Sequence, residues 1–263
     1  LEMGTRYSTF DASIKGMDGS YNSDRADKSV WSNSIGVVWR PQEHSSHYFN
    51  LSESFKPNWG TDQNNNFFDP RETRQIEAGI RYRLDEGRWN IESAIYQLTQ
   101  KNLLKRDPED REYWVLAGER RSQGLEFLLQ YLPSQSFSIA ASYSFIDAKY
   151  IGQDSRNQDN TPASIPKHSG AIRLNYTPLA IPAWRFFSGI KAIDGRFGDD
   201  ANSFSVPGYA LLDLGTHYSR KNLTLSFNIT NALDKRYIAA SFSDSDIYQG
   251  NRRQVRLSVE YRL

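Results

Sequence analysis

Four histidines, His44, His47, His168 and His217, are the first side chains to weigh as metal ligands or general bases. A metal site needs several such groups converging on one ion at about 2 Å. These four are scattered, and only His44 and His47 are neighbours, in a short polar connection where a solvated turn accounts for them. Asp107, Glu109 and Asp110 have the acid density of a cation-binding run, and a hydrated acidic loop has the same composition. The chain has no HExxH, no Gly-rich phosphate loop and no GxSxG. With no cysteine, disulfides and thiolate metal sites are excluded. The expectation is therefore no catalytic residue, no bound metal and no cofactor.

The elements available to position any site are strands. In the last eleven residues Val255, Leu257, Val259, Tyr261 and Leu263 share one face, and Gln254, Arg256, Ser258, Glu260 and Arg262 share the other. A period of two over that length is a strand with one apolar and one wet face. About 9–11 residues also suffice for a tilted strand to cross a bilayer. An amphipathic strand of a soluble sandwich would look the same, so recurrence along the chain has to decide. The same alternation marks strands over 1–10, 30–40, 47–55, 72–84, 88–101, 112–132, 137–149, 167–177, 183–196, 208–218 and 223–230. A phase shift near Tyr96 and Leu98 reads as a bulge.

The connections alternate. Long polar ones span 11–29, 56–71, 102–111, 150–166, 197–207 and 231–252. Short ones span 41–46, 85–87, 133–136, 178–182 and 219–222. A sandwich has no reason to keep that parity. An up-and-down transmembrane barrel does, with short periplasmic turns and long outer loops. Composition agrees: 13% of residues are aromatic, yet mean hydropathy is -0.68. The 32 basic and 31 acidic residues leave no net pull toward nucleic acid. No signal peptide is visible, and the chain opens on Leu1 inside a strand pattern, so a portion of a longer barrel is expected.

Several stretches carry a resemblance. They include Ser52 to Asn58, Gln75 to Tyr82, Ala117 to Phe127, Ala141 to Ala148, Ile165 to His168 and Pro207-Gly208-Tyr209. The most specific is Asn231-Ala232-Leu233-Asp234-Lys235-Arg236-Tyr237. In this order they resemble TonB-dependent siderophore receptors, with the closest look to the ferric-hydroxamate, ferrichrome-type branch. The resemblance implies an all-β transmembrane antiparallel barrel, of which residues 1–263 are about the last 12 of 22 strands, with the plug domain and early strands absent. It implies a Gram-negative outer-membrane location and uptake of a ferric siderophore. The partners would be the siderophore, outer-membrane lipid and, through the missing N-terminal region, TonB. A passive porin-like or structural barrel is the alternative, separated from the first by an upstream plug.

A ferric siderophore is a bulky chelate, held by aromatic walls and by donors to its oxygens. The candidates at strand tops and loop bases are Trp59, Phe67, Phe68, Tyr113, Trp114, Phe204, Phe242 and Tyr248. By the resemblance, Phe242 stands where an aromatic lines the ferrichrome pocket. Arg252 and Arg253 could meet an anionic ligand or pair within the barrel. Two positions depart from the family. Leu263 replaces the usual terminal Phe or Trp, and Ser241 and Ile247 stand about where ferrichrome-type receptors hold a cysteine pair.

Overall fold

The computed structural model describes residues 1–12, 26–64, 66–107, 110, 112–152 and 157–262. Twelve long strands follow one another: β1 (Glu2–Ala12), β2 (Ala26–Gln42), β3 (Ser45–Lys56), β4 (Arg71–Leu84), β5 (Trp89–Arg106), β6 (Trp114–Ser134), β7 (Phe137–Ile151), β8 (His168–Tyr176), β9 (Trp184–Ile193), β12 (Tyr209–Arg220), β13 (Leu223–Thr230) and β16 (Gln254–Tyr261). Four short ones form two hairpins inside long loops: β10 (Arg196–Phe197) with β11 (Ser205–Val206), and β14 (Ile238–Ser241) with β15 (Ile247–Gln249). The long strands make one antiparallel sheet in chain order, with β9 beside β12 and β13 beside β16. Chain neighbours pair because an antiparallel partner needs only a short link.

The short connections lie at one end. Asp85, Glu86 and Gly87 turn β4 into β5 with φ of 53°, 54° and 88°, the positive-φ geometry whose twist suits a tight hairpin. The described parts of the expected long loops lie at the other end; β1, β2 and β5 reach further toward them than alternation indicated, whereas β9 stops at Ile193, short of the 183–196 expected. β1 and β2 stay paired to Ala12 and Ala26, and residues 13–25 lie outside the described set. The bulge expected at Tyr96 and Leu98 is not there. β4 and β5 keep one register from Leu84–Trp89 to Glu72–Lys101. The irregularity in β5 sits higher, between Gln100 and Leu104 against β6, where Asn102 takes φ 55°. Tyr96 and Leu98 instead put large side chains on the otherwise polar face, which alternation alone cannot distinguish from a slip.

The two faces differ as the sequence required. One register row runs Leu84, Trp89, Tyr131, Ile139, Leu174, Ser188, Leu214, Ile229, Val255 across nine strands, almost wholly apolar. The opposite face is a hydrogen-bonded polar surface: Tyr48 donates to Glu77 at 2.8 Å, Arg120 to Gln100, and His217 meets Ser226 at 2.8 Å. Among the described residues there is no dry interior between layers. Among the described residues only Val30, Leu103, Ala148 and Val206 form a buried apolar set, while Ile95, Ile190, Val255 and Leu257 are more than half exposed. A continuous uncovered apolar face of this extent is a surface built for a non-aqueous neighbour. No helix among the described residues is long and apolar enough to cross a membrane; the strands carry that role.

Rings edge the apolar face near the short turns. Trp39 meets His47 at 5.3 Å, Trp89 stacks on Tyr131 at 3.6 Å, and Trp184 meets Tyr218 at 5.0 Å, as at a membrane–water boundary. Toward the loops the same face turns polar. Above the row Phe145, Leu125, Ile95, Ala78, Phe49 come Asp147, Gln123, Gln97, Ile76, Leu51 and then Lys149, Arg121, Thr99, Arg74, Glu53. The outer face is thus apolar only over its lower rows, not to the strand tops.

Candidate functional site

The long-loop end carries the predicted aromatics in two groups. The first joins the segment 57–70 to the start of β6. Asn58 donates to the carbonyls of Asp69 at 2.7 Å and Asn102 at 2.9 Å, pinning the loop base. Asp62 receives the amides of Asn64 and Asn66, and these bonds hold its carboxyl below the usual range, that from Asn66 foremost. The Trp114 amide donates to Thr61 at 3.1 Å. The Trp114 indole lies on Gly60, where a Cβ would come within 2.5 Å of the ring, so only glycine permits that packing. Trp114 is therefore a loop clamp. Phe67, Phe68 and Tyr113 are half-buried, and Trp59 stands exposed. Of the acidic run, Asp107 bonds Tyr113 through its amide and Asp110 caps Glu112, while Glu109 lies outside the described residues. Among the described residues no three His, Asp or Glu side chains group to hold a metal ion.

The second group joins three loops into one block. Ser241, fully buried, donates its hydroxyl to Gly198 at 2.8 Å, and its amide donates to the Ser164 hydroxyl at 2.7 Å. Ser164 returns a bond to the Ser241 carbonyl at 2.6 Å. Arg196, 5% exposed, donates to the carbonyls of Ile238 at 2.7 Å and Ala239 at 2.8 Å. Asn202 bonds both the amide and the carbonyl of Thr161. The loops around 160, 200 and 240 thereby share one backbone network.

The base of this block explains the Asn231 to Tyr237 motif. Asn231, buried with φ 50°, takes the amide of Lys235 and donates to the carbonyls of Lys235 and Asn251, while its own amide meets Asp213. Asparagine tolerates the left-handed region better than most residues. Asp234 receives the guanidinium of Arg252 and the amide of Arg253. Those bonds, Arg252 first, pull its carboxyl far below the usual range and push Arg252 up. Arg252 is therefore committed to Asp234, and the Arg253 amide serves the same carboxylate.

On top of the block, Phe242 and Tyr248 meet edge to face at 6.2 Å, both more than half exposed at the tip of β14–β15. A hydrogen bond to Asp246 raises the Tyr248 phenol. Phe204 covers Gly198, the residue whose carbonyl takes Ser241, so it is packed rather than presented. Sequence reasoning missed a cavity of about 480 Å³ beside this block, lined by Lys235, Arg236, Tyr237, Gln249 and Arg252. Its signal was the Lys-Arg-Tyr that ends the Asn231 motif. Rings with cations beside them can cover an organic shell and hold anionic oxygens.

A family model described as "TonB dependent receptor-like, beta-barrel" matches residues 1–232. The Metal-pseudopaline receptor CntO of Pseudomonas aeruginosa (strain UCBPP-PA14) is 31% identical over 229 residues, covering 86% of this chain and 32% of that protein. The Ferrichrome outer membrane transporter/phage receptor of Escherichia coli (strain K12) is 28% identical over 273 residues, covering 100% and 36%. The crystal structure of the siderophore receptor PiuA from Acinetobacter baumannii superposes with a TM-score of 0.83 at 23% identity, covering 98% of this chain and 40% of that one; that likeness shows the fold. The chain spans about a third of the length of the curated relatives it matches.

Proposed function

We propose that this chain, which belongs to the TonB-dependent receptor β-barrel family, supplies barrel wall and outer loops to an outer-membrane receptor that takes up a ferric siderophore with energy drawn through TonB. The observation that carries the reading is the welded outer block, with Phe242 and Tyr248 exposed on the hairpin whose base, Ile238 and Gln249, lines a cavity with Lys235 and Arg236. A passive pore gains nothing from fixing an exposed aromatic pair. A receptor does, because prearranged side chains cost less entropy when the ligand binds. In this reading the chelate docks from outside on the rings, Lys235 and Arg236 meet its oxygens, and it passes inward when a plug moves. The residues proposed to touch it are Phe242 and Tyr248, with Trp59, Phe68 and Tyr113 on the loops that follow β3 and β5.

The test is binding and uptake of a panel of ferric siderophores by the complete receptor, with and without TonB. Saturable, TonB-dependent uptake of one chelate class supports the reading. Uptake of small solutes at a rate indifferent to TonB would make the chain part of a passive barrel instead.

A further inference from the structure

The cavity of about 480 Å³ at the base of the β14–β15 hairpin has an unbalanced lining. Lys235, Arg236 and Arg252 face it, and no carboxylate does. Arg252 is committed to Asp234. Lys235 and Arg236 are exposed, and among the described residues neither has a carboxylate partner. Acids of the same loops are bound elsewhere. Asp199 takes the Ser203 hydroxyl, Asp200 the Ala163 amide and Asp246 the Tyr248 phenol, while Asp244 stands at the exposed hairpin tip.

A further positive charge lies behind the lining. Arg196, 5% exposed, spends its Nη2 on the carbonyls of Ile238 and Ala239, and Ile238 itself lines the cavity. Its Nη1 is buried and, among the described residues, meets no acceptor. The guanidinium lies 5.6 Å from the centre of the Tyr209 ring. Tyr209 in turn lies 4.3 Å from Tyr237, a wall of the cavity. Tyr209 has the strand parity of Asp213, so this ring pair stands on the polar face of the sheet.

A buried guanidinium without a counter-charge is costly. An anion in the cavity offsets that cost, acting through protein rather than water, where screening is weak. A neutral ligand leaves the cost in place. We infer that the cavity selects ferric chelates of net negative charge, bound through carboxylate oxygens, over the hydroxamate type to which the sequence resemblance points. Arg236 offers a fork that fits a carboxylate, and Lys235 adds a point charge. Arg196 does not touch the ligand and acts through its field. Three hydroxamates, each singly negative, cancel the charge of a ferric ion, so a trihydroxamate complex gains nothing from that field. The inference rests on the receptor reading for the presence of a chelate.

The test measures binding of ferric citrate and of a neutral ferric trihydroxamate to the complete receptor, at low and high salt. Ferric citrate should bind tighter and weaken as salt rises. Lys235→Gln with Arg236→Gln should lose about tenfold of that affinity and leave the weak hydroxamate binding as it was. Arg196→Gln, which keeps a donor for Ile238 and Ala239, should show a smaller loss for citrate alone; an equal loss for the hydroxamate would make Arg196 a packing residue and overturn its share. Tighter binding of the trihydroxamate by wild type overturns the inference, as does equal citrate affinity in wild type and the double variant. Binding of neither chelate also overturns it, whereas TonB-dependent uptake of any other chelate by the same protein would still uphold the receptor reading.

Discussion

Ser241 and Ile247 stand opposite each other in the register of the β14–β15 hairpin, the first fully buried and the second exposed. By the resemblance, they stand at about the places where ferrichrome-type receptors would hold a cysteine pair; here hydrogen bonds from Ser241 to Ser164 and Gly198 tie the hairpin down. Directly opposed antiparallel residues lie about 4.5–5.5 Å apart at Cα, inside the span of a disulfide. The double substitution Ser241→Cys, Ile247→Cys should therefore close on mild oxidation. The chain has no cysteine of its own, so a thiol count reads the pair directly. Two titratable thiols after oxidation would show that the register is not held in solution.

Ser241→Ala removes one hydroxyl and leaves the Gly198 carbonyl without its buried donor. A buried acceptor stripped of its partner costs about 1–3 kcal/mol. The barrel strands should melt unchanged, while limited proteolysis cuts the 197–208 and 238–249 loops faster. Ser241→Thr, which keeps the hydroxyl, should recover part of the protection.

Asn231→Ala loses three side-chain hydrogen bonds at once, keeps the amide bond to Asp213, and strains a positive φ. A cost of about 2–4 kcal/mol is expected. Asn231→Gly relieves only the backbone strain and should rescue about 1 kcal/mol of it. Thermal melting of the complete receptor compares the three, and a glycine variant as stable as wild type would mean that the bonds contribute nothing.

Asp234 sets a pH window. Its carboxyl is held far below the unfolded value of about 3.9 by Arg252 and the Arg253 amide. A depressed acid contributes order above its unfolded pKa and loses it as pH falls through the folded one. Protection of the Arg253 amide from hydrogen exchange should then stay flat from pH 8 to 5 and decay only below about pH 4. Asp234→Asn should exchange fast across the whole range. Decay already at pH 6 would assign the order to another group.

Phe242 is 56% exposed, so Phe242→Ala should change stability by no more than about 0.5 kcal/mol. A several-fold loss of chelate affinity with an unchanged melting curve is the expected result, and Tyr248→Ala should show a smaller loss. Unchanged affinity in both removes the hairpin tip from the binding surface.

Much of the fold was legible because its physics is local. Leu223, Leu225, Phe227 and Ile229 against Thr224, Ser226, Asn228 and Thr230 state a two-faced strand without reference to any neighbour, and β13 spans those residues. Asp85-Glu86-Gly87 states its turn equally plainly. Alternation misread Tyr96 and Leu98, because a large side chain on the wet face leaves the same trace as a slipped register. The candidate site was less legible. Trp114 and Trp59 have the same side chain, and only the approach of Gly60 separates the clamp from the exposed ring. Arg252 carried no sign that Asp234, eighteen residues away, would occupy it.

The sequence alone determined that this is a wall of about twelve strands with one apolar and one polar face, tight turns below and long loops above. Side-chain period and turn chemistry act over a few residues, and they are written in order along the chain. Tertiary structure decided which outer residues are bound up and which are offered. Ser164, Gly198 and Ser241 meet across more than seventy residues of chain, and no local pattern encodes a bond whose partners become neighbours only when the sheet assembles.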